Sequence, residues 1–170
     1  MIRDALHGDA KGIAQVHVSS WQSAYIDLMP AEYLASLTAS LPNREASWAN
    51  AIEHQESDTL VYEIDGVIIG WISVGPCRDI GFQAPGLGEV MAIYILKDHW
   101  GKGIGTKLWQ AGLKRLSDQG FESISLWVLS ANKTAVQFYE RLGGKPDVSS
   151  RRTLVRGGVT LEEIRYVWVP

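Results

Sequence analysis

Gly101, Gly103 and Gly105 fall within five residues, after the apolar run Ile93-Tyr94-Ile95-Leu96 and ahead of a helical pattern. Glycine lets a backbone approach a ligand closely. Free N–H groups at a helix N-terminus, with the partial positive charge there, favour an anion. Residues 97–115 carry Lys97, Lys102, Lys107, Lys114 and Arg115 against Asp98 alone, in a chain whose net charge is −3. That asymmetry points to phosphate. The P-loop pattern Gly-x-x-x-x-Gly-Lys-Ser/Thr does not occur, and the dinucleotide fingerprint Gly-x-Gly-x-x-Gly fails as well. The alternative to a phosphate cradle is a glycine-rich turn that only docks a helix on a sheet.

The elements that must position this loop lie on either side of it. Glu89–Ile95 reads as a strand, and a helix is predicted to begin inside GKGIGTKL and run to about Gln119. Its apolar stripe is Ile104, Leu108, Ala111 and Leu116, with Gly120 as a stop signal. Ser123–Leu129 reads as the next strand, and the helical crossover makes the two strands parallel neighbours. Lys133–Leu142 reads as a second helix ended by Gly143-Gly144.

Upstream, Thr59–Ile64 and Val67–Val74 are strands separated by Asp65-Gly66 alone, a type I′ hairpin signal. Ile2–Ala5 is a short first strand. A helix capped by Asp9 follows, with Ile13, Val16, Trp21 and Ala24 at helical spacing. Pro30 and Pro42 stand where further helices begin. The last two strands flank Gly157-Gly158 and finish at Tyr166–Val169, and residues 75–88 form a Gly- and Pro-rich loop. The expected class is mixed α/β in a single domain spanning 1–170.

With 170 residues, 46% of them hydrophobic and 21% charged, the chain has an ordinary globular balance, which excludes wholesale disorder and fibrous classes. No basic excess advertises nucleic acid. Cys77 is the sole cysteine, so no intrachain disulfide exists, and a plain thiol is the expected reading of it. His7, His17, His54 and His99 are scattered without a ligand motif, so no metal is expected. MIRDALHGDAKGI has no apolar signal core, and no run approaches about eighteen apolar residues. A cytoplasmic protein without membrane partners is expected.

The loop resembles motif A of the GCN5-related N-acetyltransferases (the GNAT family), Arg/Gln-x-x-Gly-x-Gly/Ala after an apolar strand. It reads Trp100-Gly-Lys-Gly103-Ile-Gly105, with Trp100 in place of the usual Arg or Gln. Residues 126–143, LWVLSANKTAVQFYERLG, are similar to the family's motif B. The Trp21-x-x-x-Tyr25 helix, GPCRD at 75–79 and GEVMAIYI at 88–95 extend the likeness to nearly the whole chain, toward a bacterial branch.

The resemblance implies a central sheet of about seven strands with about four helices, its two central parallel strands splayed. It implies acetyl-CoA as co-substrate. The amides of Gly101, Lys102, Gly103, Ile104, Gly105 and Thr106 would hold the pyrophosphate. Backbone along Ile93, Tyr94 and Ile95 would hold the pantetheine, with an N–H near Ile93 facing the acetyl oxygen, and Asn132 would hydrogen-bond the same arm. Tyr139 would be the general acid toward the thiolate, since an unperturbed phenol is protonated at neutral pH. Packing in the core is the other reading of Tyr139. Glu89, at the head of the strand, is the base candidate, or an ordinary strand-end acid. Tyr25 and Tyr94 are weaker candidates for lining the acceptor pocket.

The implied reaction is direct acetyl transfer to a primary amine of a small molecule in a ternary complex. The alternatives are a protein or peptide N-terminal acetyltransferase and a non-catalytic acyl-CoA-binding module. The acceptor would be held by residues about 21–37, 75–88 and 148–160. Residues 53–89 carry seven acidic side chains against Arg78, which suits a cationic amine if they do not simply face water. Arg151, Arg152 and Arg156 form a solvated face, or meet an acidic substrate or the cofactor's 3′-phosphate. Exposed aromatics such as Trp168, with the final strands, suggest a homodimer.

Overall fold

The computed structural model describes residues 1–79, 81 and 86–170. In chain order the elements are β1 (Ile2–Asp4), α1 (Ala10–Ala24), α2 (Ala31–Ser36), α3 (Leu41–Glu53), β2 (Asp58–Ile64), β3 (Val67–Pro76), β4 (Leu87–Ile95), α4 (Ile104–Asp118), β5 (Ser123–Leu129), α5 (Lys133–Arg141), β6 (Lys145–Arg156) and β7 (Val159–Trp168). Four helices have nine residues or more, and α2 is a short fifth of six residues. The seven strands form one mixed sheet in the order β1-β2-β3-β4-β5-β7-β6, and β4 with β5 is the parallel pair.

Local chemistry accounts for the boundaries. Asp65 and Gly66 both have positive φ, 49° and 79°, as a type I′ turn requires. Gly120 and Gly143, at φ 88°, end α4 and α5. Pro30 sits at the N-cap of α2, and Pro42 lies in the first turn of α3. The expected Asp9 cap is corrected. Asp9 does precede α1, but its carboxylate turns back to the Leu6 N–H at 2.7 Å and to Arg3 at 2.6 Å, so it caps nothing in the helix. The 75–88 loop is shortened from both sides by β3 and β4, and its residues 80 and 82–85 lie outside the described ones.

Helices cover both faces of the sheet. On one face α4 packs through Ile104, Leu108, Trp109 and Leu116 against Ile72, Val74 and Val90. It can approach closely because position 112 is glycine: a Cβ there would stand 2.6 Å from Ile72 Cδ1. On the other face, α1 and α3 close over Trp71, which is 1% exposed, with Ile13, Val16 and Val61 around it. Alternation along β4 sends Ile93 and Ile95 to the α4 face and Ala92 and Tyr94 to the α1 face. Trp168 is corrected too: half-buried, it packs on Trp109 at 4.7 Å and donates its indole N–H to Leu142 C=O at 3.0 Å, so it is no exposed docking aromatic.

Candidate active site

β4 and β5 pair only through Leu87–Glu89 and Ser123–Ser125. Beyond that point β4 pairs with β3 alone and β5 with β7 alone. The divergence begins at a bulge. Ala92 faces Ser73 and Val90 faces Val74, which leaves Met91 as an extra residue in β4. An inserted residue bends its strand and increases the local twist. The sheet therefore opens between its two central strands, next to the glycine loop.

The ladder fixes which backbone groups face the opening. Leu96 N–H donates to Ile69 C=O at 2.9 Å, so Tyr94, in phase with it, bonds toward β3. Ile93 and Ile95, one residue out of phase, turn their N–H and C=O groups away from β3 into the gap. The Ile95 carbonyl already accepts the Trp100 indole N–H at 2.8 Å and the Ser20 hydroxyl at 3.2 Å. Its two lone pairs are taken, so a ligand has the Ile95 N–H and both groups of Ile93. Tyr94 contributes its ring on the α1 face rather than its backbone. Trp100, the departure from the family pattern, serves here as a clasp between the loop and the end of β4.

The loop delivers an anion cradle. Gly101 and Gly103 take positive φ, 71° and 76°, in the left-handed region where a side chain would be strained. Lys107 N–H donates to Gly103 C=O at 3.1 Å, the first bond of α4. The N–H groups of Gly103, Ile104, Gly105 and Thr106 have no partner among the described residues, the usual state of a helix start. The charge around it is narrower than composition suggests. Lys114 pairs with Asp118 at 2.7 Å, and Arg115 pairs with Asp4 and Asp58. Both lie about 15 Å along the helix from its start. Lys97, Lys102 and Lys107 carry the local positive field.

Tyr139 of α5 is 6% exposed, its ring against Phe138, Trp109 and Trp168 on the α4 face. Tyr94 belongs to the opposite face, yet the two phenols act on each other, and burial followed by Tyr94 pushes the Tyr139 hydroxyl above the ordinary phenol range. Tyr94 lies on β4 and Tyr139 on the helix that follows β5, on either side of the β4–β5 opening. Tyr25 is likewise raised by burial and then by Tyr94, and Glu163 of β7 acts on both Tyr25 and Tyr94. Glu163 went unnoticed in the sequence, where it is one of two acids in an exposed-looking strand.

Behind Tyr94, His17 stacks on it at 5.2 Å and meets Trp21 and Trp71 edge-on. Burial, followed by the Arg44 charge, lowers the imidazole pKa to about 4. His17 is therefore neutral at physiological pH. A base with a lowered folded-state pKa costs nothing above its unfolded value, about 6.5, and destabilises the fold as pH falls toward 4. Urea unfolding of the wild type is expected to lose about 3 kcal/mol over that window from this group. His17→Phe keeps the ring and should remove that part of the slope. An unchanged slope would show that His17 is not buried neutral.

Glu89 is 2% exposed. Arg78 holds it with Nη2 on Oε1 at 2.7 Å, and with Nε and the backbone N–H on Oε2 at 3.2 and 2.9 Å. Asn132 is the N-cap of α5. Its Oδ1 accepts the Ala135 N–H at 3.3 Å, which leaves the side-chain NH2 to donate. Cys77 is buried in no disulfide, with Ser125 Oγ 3.8 Å from its sulfur.

The acid-rich stretch does not gather at the site. Asp58, Glu63, Asp79 and Glu89 are held in ion pairs by Arg115, Arg3, Arg165 and Arg78. Two arginines of the 151–156 face are likewise paired, while Arg156 reaches only the Val155 carbonyl. Arg151 bonds Glu162, and Arg152 bonds Glu163 at 2.8 Å while lying 3.8 Å over the Trp127 ring. Apart from Arg78–Glu89, whose partners both lie in the counted stretch, these pairings join different segments, so a local charge count could not register them.

Residues 19–144 match the family model described as "Acetyltransferase (GNAT) family". An uncharacterized N-acetyltransferase of Bacillus subtilis (strain 168), YuaI, is 30% identical over 169 residues, 98% of this chain and 91% of that one. The PaiA N-acetyltransferase of Thermoplasma acidophilum, solved in complex with coenzyme A, superposes with a TM-score of 0.72 at 17% identity, covering 99% of this chain and 98% of that one. The yncA structure from Salmonella typhimurium, solved with its cofactor acetyl-CoA, has a TM-score of 0.72 at 22% identity, covering 99% and 92%.

The chain belongs to the acetyltransferase (GNAT) family. It is an acyltransferase with acetyl-CoA as donor. The residues present fit that donor: four unpartnered N–H groups and three unpaired lysines at the start of α4 suit a pyrophosphate, and strand-edge groups in the opening suit an amide-bearing arm. Among the described residues, no helix is long and apolar enough to cross a membrane.

Proposed function

We propose that the chain moves an acetyl group directly from acetyl-CoA to a primary amine of a small molecule, both being bound at once, in the cytoplasm. One observation carries the reading: the β4–β5 opening lies beside the unpartnered start of α4, with Tyr94 on one of its strands and Tyr139 on the helix that follows the other. Acetyl-CoA supplies the activated acetyl thioester when bound. The amides of Gly101–Thr106, with Lys102 and Lys107, hold the diphosphate. Ile93, the Ile95 N–H and the Asn132 amide hold the arm. An Ile93 N–H aimed into the gap supports the carbonyl oxygen as negative charge grows on it.

Tyr139 donates its proton toward the sulfur. Burial makes the phenol a weaker acid, but it also raises the basicity of a desolvated thiolate, so the two remain matched. Glu89 is the proposed route for the ammonium proton. Arg78 occupies both of its oxygens, so the proton reaches it through water or as that pair opens. A second copy of the chain would dock on the free edge of β6, since Trp168 is packed inside.

Calorimetric titration with acetyl-CoA at low and moderate salt, followed by thiol-release assays with an amine panel, tests the reading. Binding that weakens with salt and intersecting initial-rate lines are expected. Parallel lines would replace direct transfer by a covalent enzyme intermediate. No binding of acetyl-CoA would remove the donor site and every role built on it.

A further inference from the structure

Three of the five half-buried or buried arginines come with carboxylates, and a fourth, Arg156 at the end of β6, gives Nη1 to the Val155 carbonyl at 2.9 Å. Arg3 holds Asp9 and Glu63, Arg115 holds Asp4 and Asp58, and Arg165 holds Asp79 and Asp147. Arg44 of α3 is the one without a carboxylate that lies against the aromatic cluster of α1. It is half-buried, and its Nε donates to Ser40 Oγ at 2.9 Å. No carboxylate among the described residues pairs with it. The two terminal nitrogens remain, a planar fork of the shape that takes a carboxylate in two parallel hydrogen bonds.

Its surroundings lead to the reaction centre. The guanidinium carbon lies 6.0 Å from the centre of the Trp21 ring. The Trp21 indole N–H is buried with no hydrogen-bond partner at normal distance among the described residues, and the polar group it acts on is the Tyr94 hydroxyl, whose ionised form it favours. Trp21 meets Tyr25 edge-on at 5.2 Å, and His17, whose Nδ1 is also buried and unpartnered, stacks on Tyr94. Leaving a buried donor unsatisfied costs about 1–3 kcal/mol. Such a group in a folded protein calls for an explanation, and a ligand acceptor is one. Glu163, the acid whose charge reaches Tyr25 and Tyr94, is engaged by Arg152. The α1 side of the opening therefore offers a cation without a carboxylate, Arg44, and beside it the buried Trp21 N–H.

We infer that the acceptor carries a carboxylate as well as its amine, an amino acid or a close analogue, with the carboxylate held by Arg44 and the Trp21 indole N–H and the amine turned toward Tyr94 and the opening. The inference rests on the small-amine reading above. It runs against a polyamine or aminoglycoside acceptor, which would place extra positive charge beside Arg44.

Wild type, Arg44→Gln and Arg44→Lys would be assayed by thiol release with the proteinogenic amino acids and with their carboxamides. The carboxamides are weaker bases and more of each is neutral at a given pH, so chemistry alone favours them. The wild type is nonetheless expected to prefer the acids by about tenfold or more in kcat/KM. Arg44→Gln should remove that preference, mainly through KM for the acid, while the carboxamides change by less than about twofold and KM for acetyl-CoA stays put. Arg44→Lys should keep part of the preference. Equal use of acids and amides by the wild type, or an equal loss on both in Arg44→Gln, would overturn the inference and leave the small-amine reading intact. Binding of acetyl-CoA with no turnover of any amine would overturn both.

Discussion

Tyr139→Phe is expected to lower kcat by about a hundred- to ten-thousand-fold, the usual worth of a positioned general acid or base. Acetyl-CoA affinity and the unfolding midpoint should stay close to wild type. The ring is fixed by Phe138, Trp109 and Trp168, and phenylalanine fills the same volume. The lost hydroxyl makes no hydrogen bond to a described residue, so no internal partner is orphaned. What disappears is one proton donor at the opening. Burial holds the phenol protonated well past neutrality, so kcat should show no alkaline fall from this group below about pH 10. Thiol-release rates from pH 6 to 10 check both points. A variant that keeps full rate across that range would move the acid role elsewhere, with Tyr94 next in line. A variant with normal kcat and raised KM for acetyl-CoA would make Tyr139 a wall of the binding site.

Much of the fold was legible because its signals are local. The Asp65-Gly66 turn, β5 at Ser123–Leu129 and the glycine ends of α4 and α5 depend on residues a few positions apart, and the structure has them where the sequence puts them. The α4 stripe was incomplete: Trp109 and Gly112 are buried with it, and only the facing Ile72 explains why position 112 has no side chain. The splay was legible by resemblance alone, since periodicity says where strands are and not where they part. Charge was the least legible feature. A tally over 53–89 suggests an acidic surface, whereas the fold ties Asp58, Glu63 and Asp79 to arginines from other segments and Glu89 to Arg78 within it. The reverse holds for Arg44. Nothing local distinguishes it from Arg115, the other half-buried helix arginine, and the difference shows only once the carboxylates on Arg115 are known.

The Arg78–Glu89 pair bears on both stability and mechanism. Arg78→Ala is expected to destabilise the fold by about 2–3 kcal/mol, at or below the low end of the 3–5 kcal/mol typical when one partner of a buried ion pair is removed. The discount has a structural cause. The Glu89 side chain is 3% exposed but that of Arg78 is 62% exposed, so water can replace much of the guanidinium, and the backbone N–H at 78 stays on Oε2. Glu89→Gln leaves no buried charge and should cost less. Replacing both residues by methionine should recover most of the loss, because it removes the cause, a carboxylate stranded away from solvent. Chemical denaturation of the four proteins checks the order. Activity separates the roles of Glu89. If it carries the ammonium proton, Glu89→Gln lowers kcat and flattens the acid limb of the pH–rate profile even where the fold is intact. If it only anchors the start of the β3–β4 connection through Arg78, Glu89→Gln keeps the wild-type profile, and Arg78→Ala and the double variant share one change in KM for the amine.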